Sequence, residues 1–403
     1  MSKKLPIIFI LLTVVIDSMG IGLIMPVMPD LIRDIRGGDL ANAAIWGGIL
    51  ATSFAFMQFL FGPFIGSLSD TFGRRPVMLT ALFVMSLDYL VMAVAGTMWL
   101  LLVGRLVGGI TAATQPTASA YMADISTPEE KSANFGLIGA AFGLGFVLGP
   151  LIGGLLAGFG LRAPFYAAAV LAFANMVFGY FALPETVTDR IRRPFEWRRA
   201  NPLGAFKNIG AIPGVSGLLV VSLLYGVAFF VYPAIWAYFG QARFGWGPGM
   251  IGVSLALFGV SIAVVQGVLI RPILRLLGDR NAVIFGMAVD IVAFVFLGFV
   301  QNGMLALIVT PITALGSISG PAMQGIMSRA ASDDQQGELQ GTLTSINAVA
   351  TIIAPLMMTQ IFWFFTTEGA PFMLPGAPFL LSAILIAVCI LVFVWLRPPE
   401  KTT

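Results

Sequence analysis

The chain has 403 residues, of which 58% are apolar and only 10% charged, against roughly a quarter charged for a soluble domain. So few charges exclude a soluble globule of this length, and the mean hydropathy of +0.94 excludes a disordered chain. The composition therefore predicts a helical membrane protein that crosses the bilayer several times and has no sizeable soluble domain.

Two residue types used in site chemistry are almost missing, since the sequence contains no His and a single Cys, Cys389, in a late apolar stretch. These absences exclude an intramolecular disulfide, a zinc site, haem ligation by His and a Cys-His nucleophile. The net charge of +3 is small, and the basic residues are dispersed along the chain, so the sequence has no basic patch that could bind nucleic acid. We therefore predict no enzyme activity, no cofactor, no metal and no nucleic-acid partner.

The first apolar stretch resembles a signal peptide but continues through Gly20 to Met25 without a cleavage site, so we expect an uncleaved first helix. Apolar runs bounded by charge, Pro or Gly predict an all-α protein with twelve transmembrane helices. Their predicted limits are 6–27, 43–66, 76–95, 98–121, 133–158, 163–183, 213–239, 249–272, 282–301, 303–328, 337–363 and 374–397.

The basic residues predict the orientation of these spans. Of the 22 Lys and Arg residues, all but five fall on the side that an even number of spans assigns to both termini. The five exceptions are Arg33, Arg36, Arg162, Arg243 and, inside a span, Arg105. Because cytoplasmic loops are enriched in Lys and Arg, both termini are predicted to be cytoplasmic.

The longest polar stretch lies at the middle of the chain and carries six basic residues, Arg190, Arg192, Arg193, Arg198, Arg199 and Lys207. We interpret it as a cytoplasmic linker, residues 184–212, between six-helix halves at 1–183 and 213–403. A constant shift of 205 aligns Gly73 with Gly278, Pro116 with Pro321, Gly136 with Gly341 and Pro150 with Pro355. Two parallel repeats with a site near the membrane midplane are a transporter plan.

Four charged residues stand well inside predicted spans, namely Asp17, Asp88, Arg105 and Asp290. At 1.5 Å per residue, Asp17 and Asp88 lie ~17 Å from the cytoplasmic edges of their spans. Arg105 lies ~20 Å from the cytoplasmic face of the membrane. Since a charge at such depth costs several kcal/mol, each needs a partner, a wet cavity or a proton. These residues are the candidate proton-coupling site.

We expect Arg105 to neutralise one or both of Asp17 and Asp88. The alternative is a static ion pair that only fixes helix packing, although ionisable residues inside membranes usually mark functional sites. Three acids against one base leave an excess of negative charge, so one acid is expected to carry a proton at times. Asp290, ~12 Å deep and without a basic neighbour in its half, is the acid expected to be protonated or to meet substrate.

Other polar and aromatic residues lie near mid-span, and the candidate substrate-binding set is Gln58, Tyr225, Tyr232, Trp236, Gln266, Asp290 and Gln324. For each Gln, hydrogen bonding between helices is an equally good interpretation. For Tyr232 and Trp236, the alternative interpretation is that they belong to an aromatic belt at the membrane interface.

The loop GSLSDTFGRRPV, Gly66 to Val77, offers Asp70 as a cap, Gly73 for a tight reversal, and Arg74 and Arg75 to bind an acid at a neighbouring helix end. This loop resembles that of the major facilitator superfamily, except that Thr71 replaces the usual Arg. The stretch GRLVGGITAAT resembles the fourth-span motif of that superfamily, and Asp124 follows it, placed to receive Arg74 or Arg75.

The stretch GAAFGLGFVLGPLIGG, residues 139–154, resembles the fifth-span signature of antiporters, although close helix packing alone also explains its small residues. Together these resemblances imply a gating role for Gly66, Asp70, Gly73, Arg74, Arg75, Asp124, Gly149 and Pro150.

More narrowly, DSMGIGLIMPVMPDLIRD, MQFLFGPFIGSLSD, SLDYL, PAMQGIMS and QQGELQGTL resemble the bacterial tetracycline/proton antiporters. The resemblance implies a proton-coupled exporter of tetracycline-like or other amphipathic drugs in the inner membrane. The plan of two halves makes a monomer sufficient. Asp17, Gln58, Asp88, Arg105, Gln266 and Asp290 match the polar core residues of that group by position. The chief departure is Ile262, where the group commonly has a His one turn before the Gln.

Three alternatives stay open at this point. The same fold suits a multidrug exporter with a different cargo, or a symporter of an organic anion and a proton that uses Arg105. A membrane receptor or scaffold that transports nothing is least favoured, because the only soluble stretch is a short basic linker.

Overall fold

The computed structural model describes residues 4–112, 114–127, 130–188, 192, 194–195, 201–202, 204, 215–332 and 335–396. Within these ranges the protein is all-α, with sixteen α-helices and no strand. Both chain ends and most of the predicted linker, including Arg190, Arg193, Arg198, Arg199 and Lys207, lie outside the described residues.

The first eight helices are α1 (Lys4–Ile24), α2 (Met28–Arg36), α3 (Leu40–Phe72), α4 (Arg74–Val94), α5 (Met98–Thr111), α6 (Thr114–Ile125), α7 (Lys131–Leu156) and α8 (Ala163–Ala182). The remaining eight are α9 (Ser216–Phe229), α10 (Val231–Phe244), α11 (Pro248–Val264), α12 (Ile270–Phe299), α13 (Gly303–Thr313), α14 (Ser319–Ala330), α15 (Gln336–Phe364) and α16 (Ala377–Trp395). A π turn at Val265–Leu269 joins α11 to α12, and a 3₁₀ turn at Ala314–Ile318 joins α13 to α14.

Eleven helical runs in the described ranges are long and apolar enough to cross a bilayer. One of them, Pro248–Phe299, has 52 residues and covers the predicted span 249–272 and all but the last two residues of the predicted span 282–301. A single crossing needs about 20 residues, so this run has the length for two. It is continuous because the π turn keeps helical hydrogen bonding, while Gly278 breaks the helical dihedral angles at φ 73° and ψ 160°.

Several structural features recur 205 residues apart in the two parts of the sequence. Gly73 at φ 111° precedes α4, and Gly278, 205 residues later, also has a positive φ, a conformation that glycine adopts without a steric penalty. Thr97 and Asn302, again 205 residues apart, each cap a helix through a side-chain oxygen, accepting from Leu100 N at 3.3 Å and from Met304 N at 2.9 Å. The first and last residues of α14 also lie 205 positions after those of α6.

The helices cluster into two compact units. Unit one comprises Met1–Gly37, Ser53–Pro202 and Gly247–Ala256, and unit two comprises Gly38–Thr52, Leu203–Trp246 and Leu257–Thr403. These units differ from the predicted halves by two short segments, which the contacts assign to the unit formed mainly by the other half. Thr52, for example, donates a hydrogen bond to the Ile352 carbonyl at 2.9 Å inside unit two.

Each unit has its own buried core. In unit one, α1, α4, α6 and α7 bury a cluster that includes Phe9, Leu82 and Tyr121. In unit two, α12 packs on α16 through Phe294 and Phe379, whose ring centroids are 6.2 Å apart. These cores hold the helices that carry the buried charges.

Candidate functional site

Asp88 and Arg105 form the charged site of unit one. Asp88 on α4 is buried, and its Oδ2 lies 4.0 Å from Nη1 of Arg105 on α5. Its second oxygen, Oδ1, has no hydrogen-bond partner among the described residues. Arg105 thus neutralises Asp88, while the carboxylate keeps one oxygen free for a proton or a ligand.

Small residues on α5 make room for this carboxylate. A Cβ added to Gly104 would lie 2.8 Å from Asp88 Oδ1, and one added to Gly108 would meet Oδ2 more closely still. The stretch GRLVGG therefore combines the cation with two glycines that allow the acid to approach. This physical reason for the pattern is visible only when α4 and α5 are packed together.

Arg105 also stacks on an aromatic ring that the sequence analysis did not select. Its guanidinium carbon lies 4.0 Å from the ring centroid of Phe54 on α3, a cation–π contact. With 33 Phe residues in the chain, no local signal distinguished Phe54 from the others.

Asp17 on α1 is half-buried, and within the described residues it makes no hydrogen bond or ion pair. Arg105 therefore pairs with one of the two predicted carboxylates, Asp88, and not with both. Tyr89 follows Asp88 on α4, and its hydroxyl packs on Gly20, three residues after Asp17. Tyr89 is a site residue that sequence reasoning missed, although it lies in the stretch SLDYL that carries part of the family resemblance.

Asp290 on α12 is the acid of unit two, and it is 0% exposed. Tyr225 on α9 donates a hydrogen bond from its hydroxyl to Asp290 Oδ2 at 3.2 Å, while Oδ1 has no partner in the described part of the chain. No ion pair of Asp290 occurs among the described residues. An ionised Asp290 would thus be stabilised by a neutral donor alone.

Aromatic side chains surround this acid. Tyr225 stacks on Phe229 at 5.9 Å, and Tyr232 lies 4.4 Å from Phe258 and 5.5 Å from Phe294 between ring centroids. Tyr232 and Trp236 are both buried, whereas an interfacial belt would place them at the lipid surface. Their contact with substrate stays a prediction.

The three candidate glutamines are exposed on their helices. Gln58 donates to the Ala112 carbonyl at 3.2 Å, and Gln324 donates to Gln340 Oε1 at 3.2 Å. Gln266 lies in the π turn Val265–Leu269, a local widening that often occurs at functional sites. Each amide retains donor or acceptor capacity for a ligand.

The loop between α3 and α4 forms a second charged cluster. Arg74 donates to Asp70 Oδ1 at 2.5 Å, to Ser69 Oγ at 2.6 Å and to Asp124 Oδ2 at 3.2 Å. The contact with Asp124 that the sequence predicted is therefore present, through Arg74. Ser69 in turn donates to the Gly66 carbonyl at 2.9 Å.

The cap of α4 differs from the prediction. Glu185, just after α8, accepts hydrogen bonds from the backbone amides of Arg74 at 2.9 Å and Arg75 at 3.2 Å. Asp70 pairs with the Arg74 side chain instead. A carboxylate at a helix N-terminus satisfies free amides and the helix dipole, so Glu185 is the capping residue that sequence reasoning missed. The only indication of this role in the sequence was that Glu185 lies outside the predicted spans.

The equivalent positions of unit two carry the opposite charges. At a shift of 205, Arg275, Asp279 and Arg329 occupy the positions of Asp70, Arg74 and Asp124. Asp279 and Arg329 form an ion pair. Arg75 and Arg280 keep their sign. Arg75 donates to the Tyr180 carbonyl near the end of α8 at 2.6 Å, and Arg280 donates to the Leu396 carbonyl just after α16 at 3.1 Å.

The predicted gating residues Gly149 and Pro150 on α7 pack against α1. A Cβ on Gly149 would lie 2.5 Å from the Met19 carbonyl and 2.9 Å from the Gly22 Cα. Helices at this distance tolerate only the smallest residues. In the described part of the chain no group of three or more carboxylate or Cys side chains is placed to hold a metal.

Residues 10–355 match the sequence profile of the Major Facilitator Superfamily. The chain belongs to the major facilitator superfamily. It is 42% identical to the tetracycline resistance protein, class C, of Escherichia coli over 90% of this chain and 91% of that protein. It is 36% identical to the class G tetracycline resistance protein of Vibrio anguillarum over 98% of both chains.

Among solved structures, the human organic anion transporter MFSD10 (TETRAN) superimposes with a TM-score of 0.71 at 23% identity, covering 98% of this chain and 100% of that one. That likeness is one of fold. The family membership predicted from the loop and span motifs is confirmed, and with it a multi-pass membrane protein that is a transporter and not an enzyme. Its cargo is a small molecule, as for other superfamily transporters.

Proposed function

We propose that this transporter exports tetracycline-like or other amphipathic drugs in exchange for protons. The observation that carries the proposal is the 42% identity to a class C tetracycline resistance protein over nine-tenths of both chains. Two buried carboxylates, one paired with a cation and one without a cationic partner among the described residues, supply groups that a proton-coupled carrier requires.

In this proposal Asp17, Asp88, Arg105 and Asp290 handle the protons. Arg105 keeps Asp88 neutralised, whereas an ionised Asp290 lacks a cation in the described residues. Burying an unpaired charge is costly, so Asp290 is the group whose occupancy by a proton changes the energy of its surroundings most. Protons from outside would release the drug, and deprotonation towards the cytoplasm would reset the carrier.

We further propose that the drug meets the amides of Gln58, Gln266 and Gln324, which are exposed on their helices. Tyr225, Tyr232 and Trp236 would shape the aromatic surroundings of Asp290 in unit two. The missing His leaves Ile262, one turn before Gln266, as an apolar neighbour. Coupling would therefore run through carboxylates alone.

The proposed topology has twelve crossings, with both termini in the cytoplasm and the protein in the inner membrane. In the proposed alternating access the halves 1–183 and 213–403, joined by the linker 184–212, would rock, and a monomer would suffice. Support comes from the 52-residue run Pro248–Phe299, which is long enough for two crossings. The loop cluster Gly66, Asp70, Gly73, Arg74, Arg75 and Asp124, with Gly149 and Pro150, would gate the motion.

The test is drug-dependent proton movement in proteoliposomes with a pH-sensitive dye inside. Adding tetracycline to the wild-type protein should dissipate an imposed pH gradient. Asp290→Asn and Asp17→Asn should each abolish that response, because neither side chain can then exchange a proton. A panel of cationic dyes in place of tetracycline tests the alternative cargo.

The matched control is Asp34→Asn, which neutralises an exposed acid that pairs with Arg162 at 3.4 Å outside the buried layer. This variant should transport at the wild-type rate. Wild-type proton movement in both Asp290→Asn and Asp17→Asn would refute the proposed coupling, and no response to tetracycline in the wild type would refute the cargo.

A further inference from the structure

The two units place a carboxylate in the same way but give it different partners. Asp88 packs on Gly108 of the following helix, and Asp290 packs on Gly316 of the 3₁₀ turn that follows α13. In unit one the partner is Arg105, which is always charged. In unit two the partner is Tyr225, a neutral hydroxyl that can both donate and accept a hydrogen bond.

The Tyr225 hydroxyl lies between two acceptors. Its oxygen is 3.2 Å from Asp290 Oδ2 and 3.2 Å from the Gly316 carbonyl oxygen. A phenol has a single hydrogen, so it bonds fully to one acceptor at a time. The ring is held by stacking on Phe229 at 5.9 Å, which leaves rotation of the hydroxyl hydrogen as the available freedom.

We propose that Tyr225 is a positioning residue that transmits the protonation state of Asp290 to the 3₁₀ turn Ala314–Ile318. When Asp290 is ionised, Tyr225 donates to Oδ2. When a proton binds to Oδ2, the new O–H donates to the Tyr225 oxygen, and the tyrosine hydrogen turns to the Gly316 carbonyl. The proton stays on Asp290, and Tyr225 keeps its own hydrogen throughout.

The receiving segment is suited to this role. Gly316 also accepts a hydrogen bond from the backbone amide of Ser319, three residues on, which is the looser pattern of a 3₁₀ turn. A second bond from Tyr225 would hold that carbonyl more firmly. A 3₁₀ stretch between two α-helices often marks a hinge, so holding or releasing Gly316 changes the stiffness of the junction between α13 and α14.

Asp290 is the acid that titrates at this place. The ionisable side chains beside it are Tyr225, which donates to it, and Tyr232, which lies 5.5 Å from Phe294 on the same helix as Asp290; an ordinary tyrosine, with a pKa of about 10, is neutral near pH 7. Two arginines occur on the helices that pack here, but both are distant. Arg280 is ten residues from Asp290 on α12, and Arg329 is ten residues from Ser319 on α14, about 15 Å along the helix axis in each case. Cys389 on α16 bonds to the Val221 carbonyl at 3.7 Å and so faces α9.

The first test is an infrared pH titration of the protein in lipid vesicles, with the protonated carboxyl band of Asp290 assigned by its loss in Asp290→Asn. Tyr225→Phe removes the donor to the ionised form but keeps the ring. The pH at which the band is half lost should rise by about one unit, a tenfold gain in proton affinity. The buried control Tyr238→Phe, on α10, should leave it unchanged.

The second test is hydrogen exchange of Ala314–Ile318, expressed as protection relative to the free peptide at each pH. In the wild type, protection should fall several-fold as Asp290 loses its proton. In Tyr225→Phe and in Asp290→Asn it should be independent of pH. Each variant tests this expectation independently, so if one of them fails to fold, the other still provides the test.

An unchanged infrared titration in Tyr225→Phe would overturn the proposal, as would pH-dependent protection that survives in either variant. The role of Tyr225 in transport rests on the proposed proton coupling, but its response to the protonation of Asp290 does not. Neither measurement needs a drug, so a wrong cargo would fail the transport assay and leave these results intact.

Discussion

Reversing the charges around Arg74 tests whether the loop cluster between α3 and α4 is held together by charge. In unit one the order at the three positions is Asp70, Arg74 and Asp124, and in unit two the three equivalent positions carry the opposite signs. The triple variant Asp70→Arg/Arg74→Asp/Asp124→Arg gives unit one the polarity of unit two. If charge pairing is what matters, this variant should be more stable than the single variants.

The magnitude follows from burial. The side chains of Arg74 and Asp124 are only 14% and 18% exposed, and their hydrogen bond is charge-assisted. Losing such a bond costs about 1.5–3 kcal/mol. Arg329 and Asp279 are 53% and 36% exposed, and an exposed pair contributes about 0.2–1 kcal/mol. Asp124→Asn should therefore destabilise the protein by about 2 kcal/mol, and Asp279→Asn by under 1 kcal/mol.

The assay is the free energy of unfolding in mixed detergent micelles with increasing dodecyl sulfate, followed by circular dichroism. Arg74→Asp alone should be the most damaging variant, because it places a carboxylate against Asp70 and Asp124. The triple variant should recover more than half of that loss. Equal costs for Asp124→Asn and Asp279→Asn, or no recovery in the triple variant, would refute the reasoning.

Two further predictions concern groups found only in the packed structure. Glu185→Gln should lower the free energy of unfolding in the same assay by about 1 kcal/mol, because a neutral amide caps the α4 amides less well, while Glu368→Gln in the α15–α16 loop serves as the control. An equal cost in both variants would exclude the capping role. Gly108→Val should abolish transport, because its side chain would occupy the space of the Asp88 carboxyl, whereas Gly139→Val, where an added Cβ meets open space, should retain it. Transport by the Gly108 variant at the wild-type rate would contradict the tight packing of Asp88 on α5.

Much of the fold could be predicted from local patterns. Hydropathy along the chain is a property of each stretch by itself, so the helices could be located without knowing their neighbours. The predicted spans 76–95 and 163–183 agree with α4 (Arg74–Val94) and α8 (Ala163–Ala182) to within two residues. The spans at 249–272 and 282–301 are harder to separate, since the helical bonding between them is continuous.

The partners of the buried charges could not be predicted in the same way. Depth arguments placed Asp17, Asp88 and Arg105 in one layer, but depth does not specify which helices pack closely. Glycines at 104 and 108 allow α4 to approach α5, and this approach selects Asp88 for Arg105.

The sequence by itself therefore determined the class of protein, the approximate spans, the family and the identity of the buried charges. The tertiary structure decided that Asp290 binds a tyrosine, that Glu185 caps α4, and that Phe54 stacks on Arg105. The reason is physical. Hydrophobicity acts locally along the chain, whereas a hydrogen bond or ion pair depends on atoms within 4 Å that packing brings together from distant positions.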